Sequence, residues 1–207
     1  MGGSEWACCT ALLVHSSMRR VPREWHQYEY LDPEGILIGL REISRTLPLH
    51  ELEYRVRTLR SRSLRRYGEG RQAALFCYGM GIRLGVKVRF AHVDRQDYDI
   101  IAKYEMDGMM NFAPVQLKEW VPDILPSPQP LQAELDKLGK YTDSSDLIVV
   151  FHLNRRANVV LSTLTYPRTI GGLWFLGCVE PSQNHWTLIG DILKEPGVAS
   201  DFTYPEN

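Results

Sequence analysis

Four side chains of one segment, Asp97, Asp99, Gln116 and Lys118 in DYDIIAKYEMDGMMNFAPVQLKEW, are of the types that handle phosphoryl chemistry. Asp107-Gly108, set between two apolar runs, is the preferred dipeptide of a two-residue hairpin turn. Pairing counted outward from that turn sets Asp99 opposite Gln116 and Asp97 opposite Lys118. Opposed side chains on an antiparallel pair have Cβ atoms ~4.5–5.5 Å apart, and residues two apart share a face, so all four would project from one side. Carboxylate and amide oxygens are hard donors that suit Mg²⁺, an ion held by one or two carboxylates plus substrate phosphate. Asp99 and Gln116 are therefore candidate ligands of Mg²⁺ or Mn²⁺. Lys118 is the candidate for orienting or deprotonating the attacking water, or for stabilising charge on phosphorus oxygens. Glu69, near the start of the preceding helix, is a further candidate ligand, directly or through water. Pro114 cannot donate to the ladder and marks where a bulge would shift this register.

The elements that must hold these residues follow from pattern. In LDPEG, Asp32 caps a helix with Pro33 at its first position, running roughly to Arg45. In LPLHELEYRVRTLRSRSLRRY, Leu49, Leu52, Val56 and Leu59 form a helical stripe, with arginines mostly off it, which predicts an amphipathic helix with a basic outer face. GEGRQAALFCYGMGIRLG predicts a more buried helix from about Glu69 to Leu84, closed by Gly85. The period then changes to two: VKVRFAHV, YDIIAKYE and FAPVQLKEW read as strands. A Pro-rich connector leads to a short helix in LQAELDKLGKY and a buried strand in DLIVVFHL. GGLWFLGCV and HWTLIGDIL predict one or two further strands before a polar tail. The whole is an α/β arrangement with a mixed sheet.

With 207 residues and 44% hydrophobic content, the chain can bury one sizeable core, read as a single domain with an N-terminal extension. The net charge of −1 does not announce a polyanion partner, but its distribution does more, with nine Arg against four Glu between Arg41 and Arg71. Arg55, Arg62, Arg65 and Arg66 are the candidate phosphate contacts of that region. The 4 cysteines show no C-x-x-C spacing, and vicinal Cys8-Cys9 suits neither an ordinary disulfide nor a zinc knuckle, which predicts reduced thiols in a cytoplasmic, intracellular protein. The N-terminal apolar run lacks a basic flank and is too short for a signal or a membrane span, so no membrane partner is expected. No Walker loop, dinucleotide fingerprint or G-x-S-x-G is present.

The order helix, strand, strand, strand, helix, strand over about Glu69 to Leu153, with Asp99 before apolar IIA and Gln116-Leu117-Lys118 after APV, resembles the PD-(D/E)XK nuclease superfamily. The resemblance implies a restriction-endonuclease-like α-β-β-β-α-β core with a mixed sheet over residues 67–207, carrying extra C-terminal strands, behind an N-terminal helical extension over 1–66. It implies a Mg²⁺- or Mn²⁺-dependent endo- or exonuclease acting on nucleic acid, DNA ahead of RNA. It also implies Asp99, Gln116 and Glu69 as metal ligands and Lys118 as the catalytic lysine. Tyr98 stands where the superfamily's name-giving Pro would be, and Gln116 where an acid is usual.

Other readings stay open on these residues. Asp and Lys across a hairpin can be a plain ion pair on a solvated face, and Glu69 can be an acid favoured by the helix dipole. The arginines can be a solvated face paired with Glu51 and Glu53. His152 reads as structural, and Trp174, Phe175 and Trp186 as core before base-stacking surfaces. The alternative function is a nuclease-fold protein without catalysis, serving as a nucleic-acid- or protein-binding component of a larger assembly. Protein partners or a homodimer fit either.

Overall fold

The structure, a computed structural model, describes residues 21–206 except 94, 96, 126, 127 and 195–197, and only the backbone of Leu49. The reading of Cys8-Cys9 falls outside the described residues. Three helices precede the sheet: α1 (Pro33–Thr46), the four-residue α2 (Tyr54–Arg57) and α3 (Arg65–Leu84). Then come β1 (Val88–His92), β2 (Ile100–Met106), β3 (Met109–Trp120), α4 (Leu131–Asp136), β4 (Ser144–Leu153), β5 (Ile170–Cys178), β6 (His185–Ile189) and β7 (Ala199–Thr203).

Local chemistry explains most boundaries. The Asp32 carboxylate accepts from the Glu34 N–H at 3.3 Å with Pro33 in the first turn, which satisfies a donor that a helix start leaves open. Gly85 stops α3 in the left-handed conformation at φ 67°, a backbone state that side chains with a Cβ disfavour. Asp107 and Gly108 both have positive φ, 52° and 73°, as the tight hairpin turn requires.

The strands form one sheet in sequential order, β1 to β7. β1, β2 and β3 pair antiparallel, β3, β4 and β5 parallel, and β5, β6 and β7 antiparallel, so the sheet is mixed. One face is covered by α1 and α3, where Leu37, Phe76, Met80, Phe90, Val115, Val150, Trp174 and Trp186 make the larger core. The other face is covered by α4 and the chain around Leu161, over Leu135, Leu138, Tyr141, Val149, Phe151 and Phe175. The described part of the N-terminal segment joins the first of these cores, since Leu37 is fully buried in it and Leu31 bridges to Phe90.

Three expectations change. The Arg-rich stretch is not one amphipathic helix: it is a 3-10 turn at Leu49–Glu51, then α2, then a 3-10 turn at Arg62–Leu64. The break falls at Leu59, whose φ is 57°, and the N–H groups of Arg60 and Ser61 both return to the Arg55 carbonyl. Thr58, Ser61 and Ser63 weaken the helix there, because such hydroxyls compete for backbone partners, and Thr58 bonds the Tyr54 carbonyl at 2.7 Å. Arg55, Arg62 and Arg66 therefore do not line one helix face. Second, α3 begins at Arg65 rather than Glu69, which sets Glu69 one turn inside the helix. Third, the polar tail contains β7, anchored by buried Phe202 and by Tyr204, whose hydroxyl donates to the Leu37 carbonyl at 2.9 Å. Among the described residues no helix is long and apolar enough to cross a membrane. Cys77 and Cys178 are free thiols.

Candidate active site

The hairpin register is the one expected from the turn: Met106 faces Met109, Ile101 faces Pro114 and Ile100 faces Val115, with no bulge at Pro114. Asp99 lies immediately before β2. Its N–H donates to the Val115 carbonyl at 2.9 Å, and its own carbonyl accepts from Val93 at 3.1 Å, so its backbone is held between the end of β1 and the middle of β3. The side chain is then carried directly over Gln116. Oδ2 of Asp99 accepts from the Gln116 amide nitrogen and, at 2.7 Å, from the Leu117 N–H. The two residues that the turn predicts to face each other do so.

Gln116 is buried at 5% exposure, and its orientation is set from the opposite side of the amide. The Tyr141 hydroxyl, arriving from the chain after α4, donates to Gln116 Oε1 at 3.1 Å. Gln116 and Lys118 thus lie on the α4 face of β3, whereas Val115 and Leu117 pack against the α3 side. Asp97 is not brought in. Strand pairing stops at Ile100, and Asp97 sits exposed in the bend before it, so the expected Asp97 to Lys118 pairing is absent.

Charge around the site is coupled. Burial pushes the Asp99 carboxyl up, opposed by the Leu117 N–H, Lys118 and Arg65, while Glu69 pushes it further up. Burial likewise pulls the Lys118 ammonium down, helped by Lys140 and Arg65 and opposed by Asp99 and Glu134. Each half of the Asp99–Lys118 pair therefore lies closer to its neutral form than in water, as desolvation demands. Glu69 is close enough to act on Asp99, but its Oε1 accepts from Arg65 Nε at 2.8 Å.

A metal beside Asp99 would meet that carboxylate and the Glu69 carboxylate, but not the expected Gln116 oxygen, because the amide turns its nitrogen to Asp99 and its oxygen to the Tyr141 hydroxyl. Both described hydrogen bonds to Asp99 land on Oδ2, so Oδ1 is the oxygen a cation would take. Among the described residues no group of three or more His, Cys, Asp or Glu gathers to hold a metal. The set suits neither zinc nor an all-protein calcium cage, but its hard oxygens fit Mg²⁺, which keeps waters and needs only one or two carboxylates.

The structure thus brings Asp99, Gln116 and Lys118 together, with Glu69 at their edge. Of the four arginines read as phosphate contacts, only Arg65 acts on the site; Arg55 and Arg62 are exposed on separate short elements, and Arg66 is exposed in the first turn of α3. Sequence reasoning missed Tyr141 and Lys140, which reach the site only because α4 folds over that face of the sheet. It also missed Arg60, which ion-pairs with Glu119, the residue after Lys118. No local signal marks any of them. Comparison of the chain with protein-family models, with curated proteins and with solved structures gave no match.

Proposed function

We propose that the chain is a Mg²⁺- or Mn²⁺-dependent nuclease of the PD-(D/E)XK type, with DNA preferred to RNA. The observation that carries this reading is the meeting of Asp99, Gln116 and Lys118 where β2 and β3 stop pairing, beside an acid of α3. The run α3, β1, β2, β3, α4, β4, with β3 parallel to β4, supports a restriction-endonuclease-like core around that cluster.

In this reading Asp99 Oδ1 and, if freed from Arg65, Glu69 would hold the ion, while Gln116 keeps the Asp99 carboxylate from rotating. When bound, the ion supplies Lewis-acid polarisation of a phosphoryl oxygen and lowers the pKa of water. Lys118, half-buried and poorer at holding its proton than a lysine in water, orients the attacking water and takes up or returns a proton. The water oxygen bonds to phosphorus, one P–O ester bond breaks, and the leaving oxygen is protonated. Arg65, near enough to act on Asp99 and Lys118, would meet charge that builds on the phosphate.

The test is cleavage of plasmid, single-stranded DNA and RNA with Mg²⁺ or Mn²⁺, read beside metal binding by calorimetry. Asp99→Ala and Lys118→Ala should each lower cleavage by at least ~100-fold, the scale of one charge-stabilising or proton-transfer group. Asp99→Ala should also lose metal affinity, whereas Lys118→Ala should keep it. Wild-type protein that binds no metal and cleaves none of the three substrates would rule the reading out.

One observation favours a second reading, a nuclease-like protein that binds without cutting. The Gln116 amide is engaged at both ends, by Asp99 and by Tyr141, and brings no charge to a cation. Gln116→Glu separates the two. In a working enzyme it should hold or tighten metal binding with cleavage retained, and in a non-cutting protein it should restore no cleavage.

A further inference from the structure

Between α1 and the broken Arg-rich stretch runs a groove of about 770 Å³. Its cations are Arg41, Arg45, Arg57, Arg60 and Arg71, and among the described residues no Asp or Glu lines it. Two acids reach these arginines from outside, Glu206 to Arg41 and Arg45, and Glu119 to Arg60. Among the described lining residues the cations thus outnumber the acids. The floor is apolar: Ile43, Leu47 and Leu52 are 51%, 51% and 40% exposed in it, beside Val56 and the ring of Tyr54. Apolar side chains exposed together in a cationic groove are a binding surface by the ordinary criterion.

The groove's lining comes close along the chain to a residue of the candidate site. Leu64 lines the groove, and the next residue, Arg65, is the one that acts on Asp99 and Lys118. Arg60 and Asn154 both hold Glu119, which follows Lys118 on β3 and so projects from the opposite face of the strand. Through Arg71, Asn154 and Gln183 the groove also joins a second cavity of about 380 Å³, lined by Arg156, Glu180 and by Arg155, which is already paired with Asp123 at 2.6 Å.

We propose that this groove binds single-stranded nucleic acid and feeds it to the Asp99–Lys118 site, a step that rests on the nuclease reading only for where the strand goes. A duplex offers its outer phosphates and hides its base faces in the stack, so an apolar floor gains nothing from it. A single strand satisfies both surfaces at once. Its phosphates meet arginine forks and its bases lie on Leu47, Leu52, Val56 and Tyr54, as in sequence-tolerant single-strand sites. The break at Leu59 is what makes the groove, because a continuous helix from Leu49 to Arg66 could not double back to bring Arg60 onto Glu119.

Fluorescence anisotropy in EDTA, with a labelled single-stranded 20-mer of mixed sequence and its duplex, tests this without any cleavage. The single strand should bind at least ~10-fold more tightly. Arg45→Glu with Arg57→Glu should weaken it ~10-fold or more and lower the salt slope by about 1.4, at ~0.7 per lost contact. The exposed Arg89→Glu on β1 should change nothing. Photocrosslinking of the wild-type protein with a 4-thiothymidine oligonucleotide should place adducts within residues 41–64. Tighter binding of duplex, adducts confined to other segments, or equal competition by polyglutamate would each overturn the proposal. A protein that binds single strands here yet never cuts would refute the nuclease reading and leave this one standing.

Discussion

Asp99 is a carboxylate whose hydrogen bonds and whose charge pull in opposite directions. Its partners favour the ionised form, yet burial prevails and its pKa lies above the ordinary value. A carboxyl raised in this way favours the fold when protonated, and that advantage is lost as pH rises through its folded-state pKa. Because both bonds land on Oδ2, Asp99→Asn can keep them with its amide oxygen while removing the buried charge. The variant is expected to melt at a higher temperature than wild type at pH 7. Toward about pH 3 the gap should close, as wild-type Asp99 becomes protonated. Thermal unfolding of both proteins across that range checks it, and a gap that widens in acid would refute the burial account. Such a carboxylate, held against its own stability, is what a metal or proton-handling site requires.

Elements meet where small residues let them. On α3, a Cβ built at Gly79 would lie 2.6 Å from the Phe202 ring of β7, closer than real contacts allow. Gly79→Ala gains helix propensity of up to ~1 kcal/mol but forces this ring to move, and overpacking of that kind costs about 1–3 kcal/mol. A net loss of stability is expected. Phe202→Leu shortens the side chain at the clash, so in a double-mutant cycle the pair should be less destabilised than the sum of the single changes by at least ~0.5 kcal/mol. Urea unfolding of the four proteins measures this. Additive losses would mean that α3 and β7 do not press on each other through that contact. The same seam explains how β7 hides in a tail of polar letters, since ASDFT has only Phe202 to bury and needs α3 to receive it.

At the scale of the whole molecule, acid stability turns on His152. It is 6% exposed, lies against Trp186 at 5.6 Å between ring centres, and has no partner for Nδ1 among the described residues. Burial, reinforced by Arg71 and Arg60, pushes its pKa down to about 3. A histidine depressed this far supports the fold fully above its ordinary value of 6.5. That support is lost as pH falls toward 3, at up to ~1.4 kcal/mol per pH unit. The protein should thus become steadily easier to unfold with urea below about pH 6. His152→Phe, which sacrifices no described hydrogen bond, should flatten that slope by close to one proton. An unchanged slope in the variant would assign acid unfolding to other groups.

Much of this architecture is written in short-range signals. Asp32-Pro33, Gly85 and Asp107-Gly108 act through the conformation of a few neighbouring residues, and alternating or helical periodicity needs only a window of ten or so. That sufficed for the order of elements from α3 to β4, for the hairpin register and hence for Asp99 facing Gln116. It failed where the deciding partner is far along the chain. Tyr141 orients Gln116 from 25 positions away, and Tyr204 reaches Leu37 across 167. The Arg-rich stretch has helical periodicity, but its stripe has no surface of its own to pack on, so Arg60 and its distant partner Glu119 settle its path instead. The sequence by itself determined the elements and the facing pair at the hairpin. Which face of the sheet that pair occupies and which arginine acts on it were decided only by tertiary structure, because packing joins surfaces whose residues carry no mark of one another.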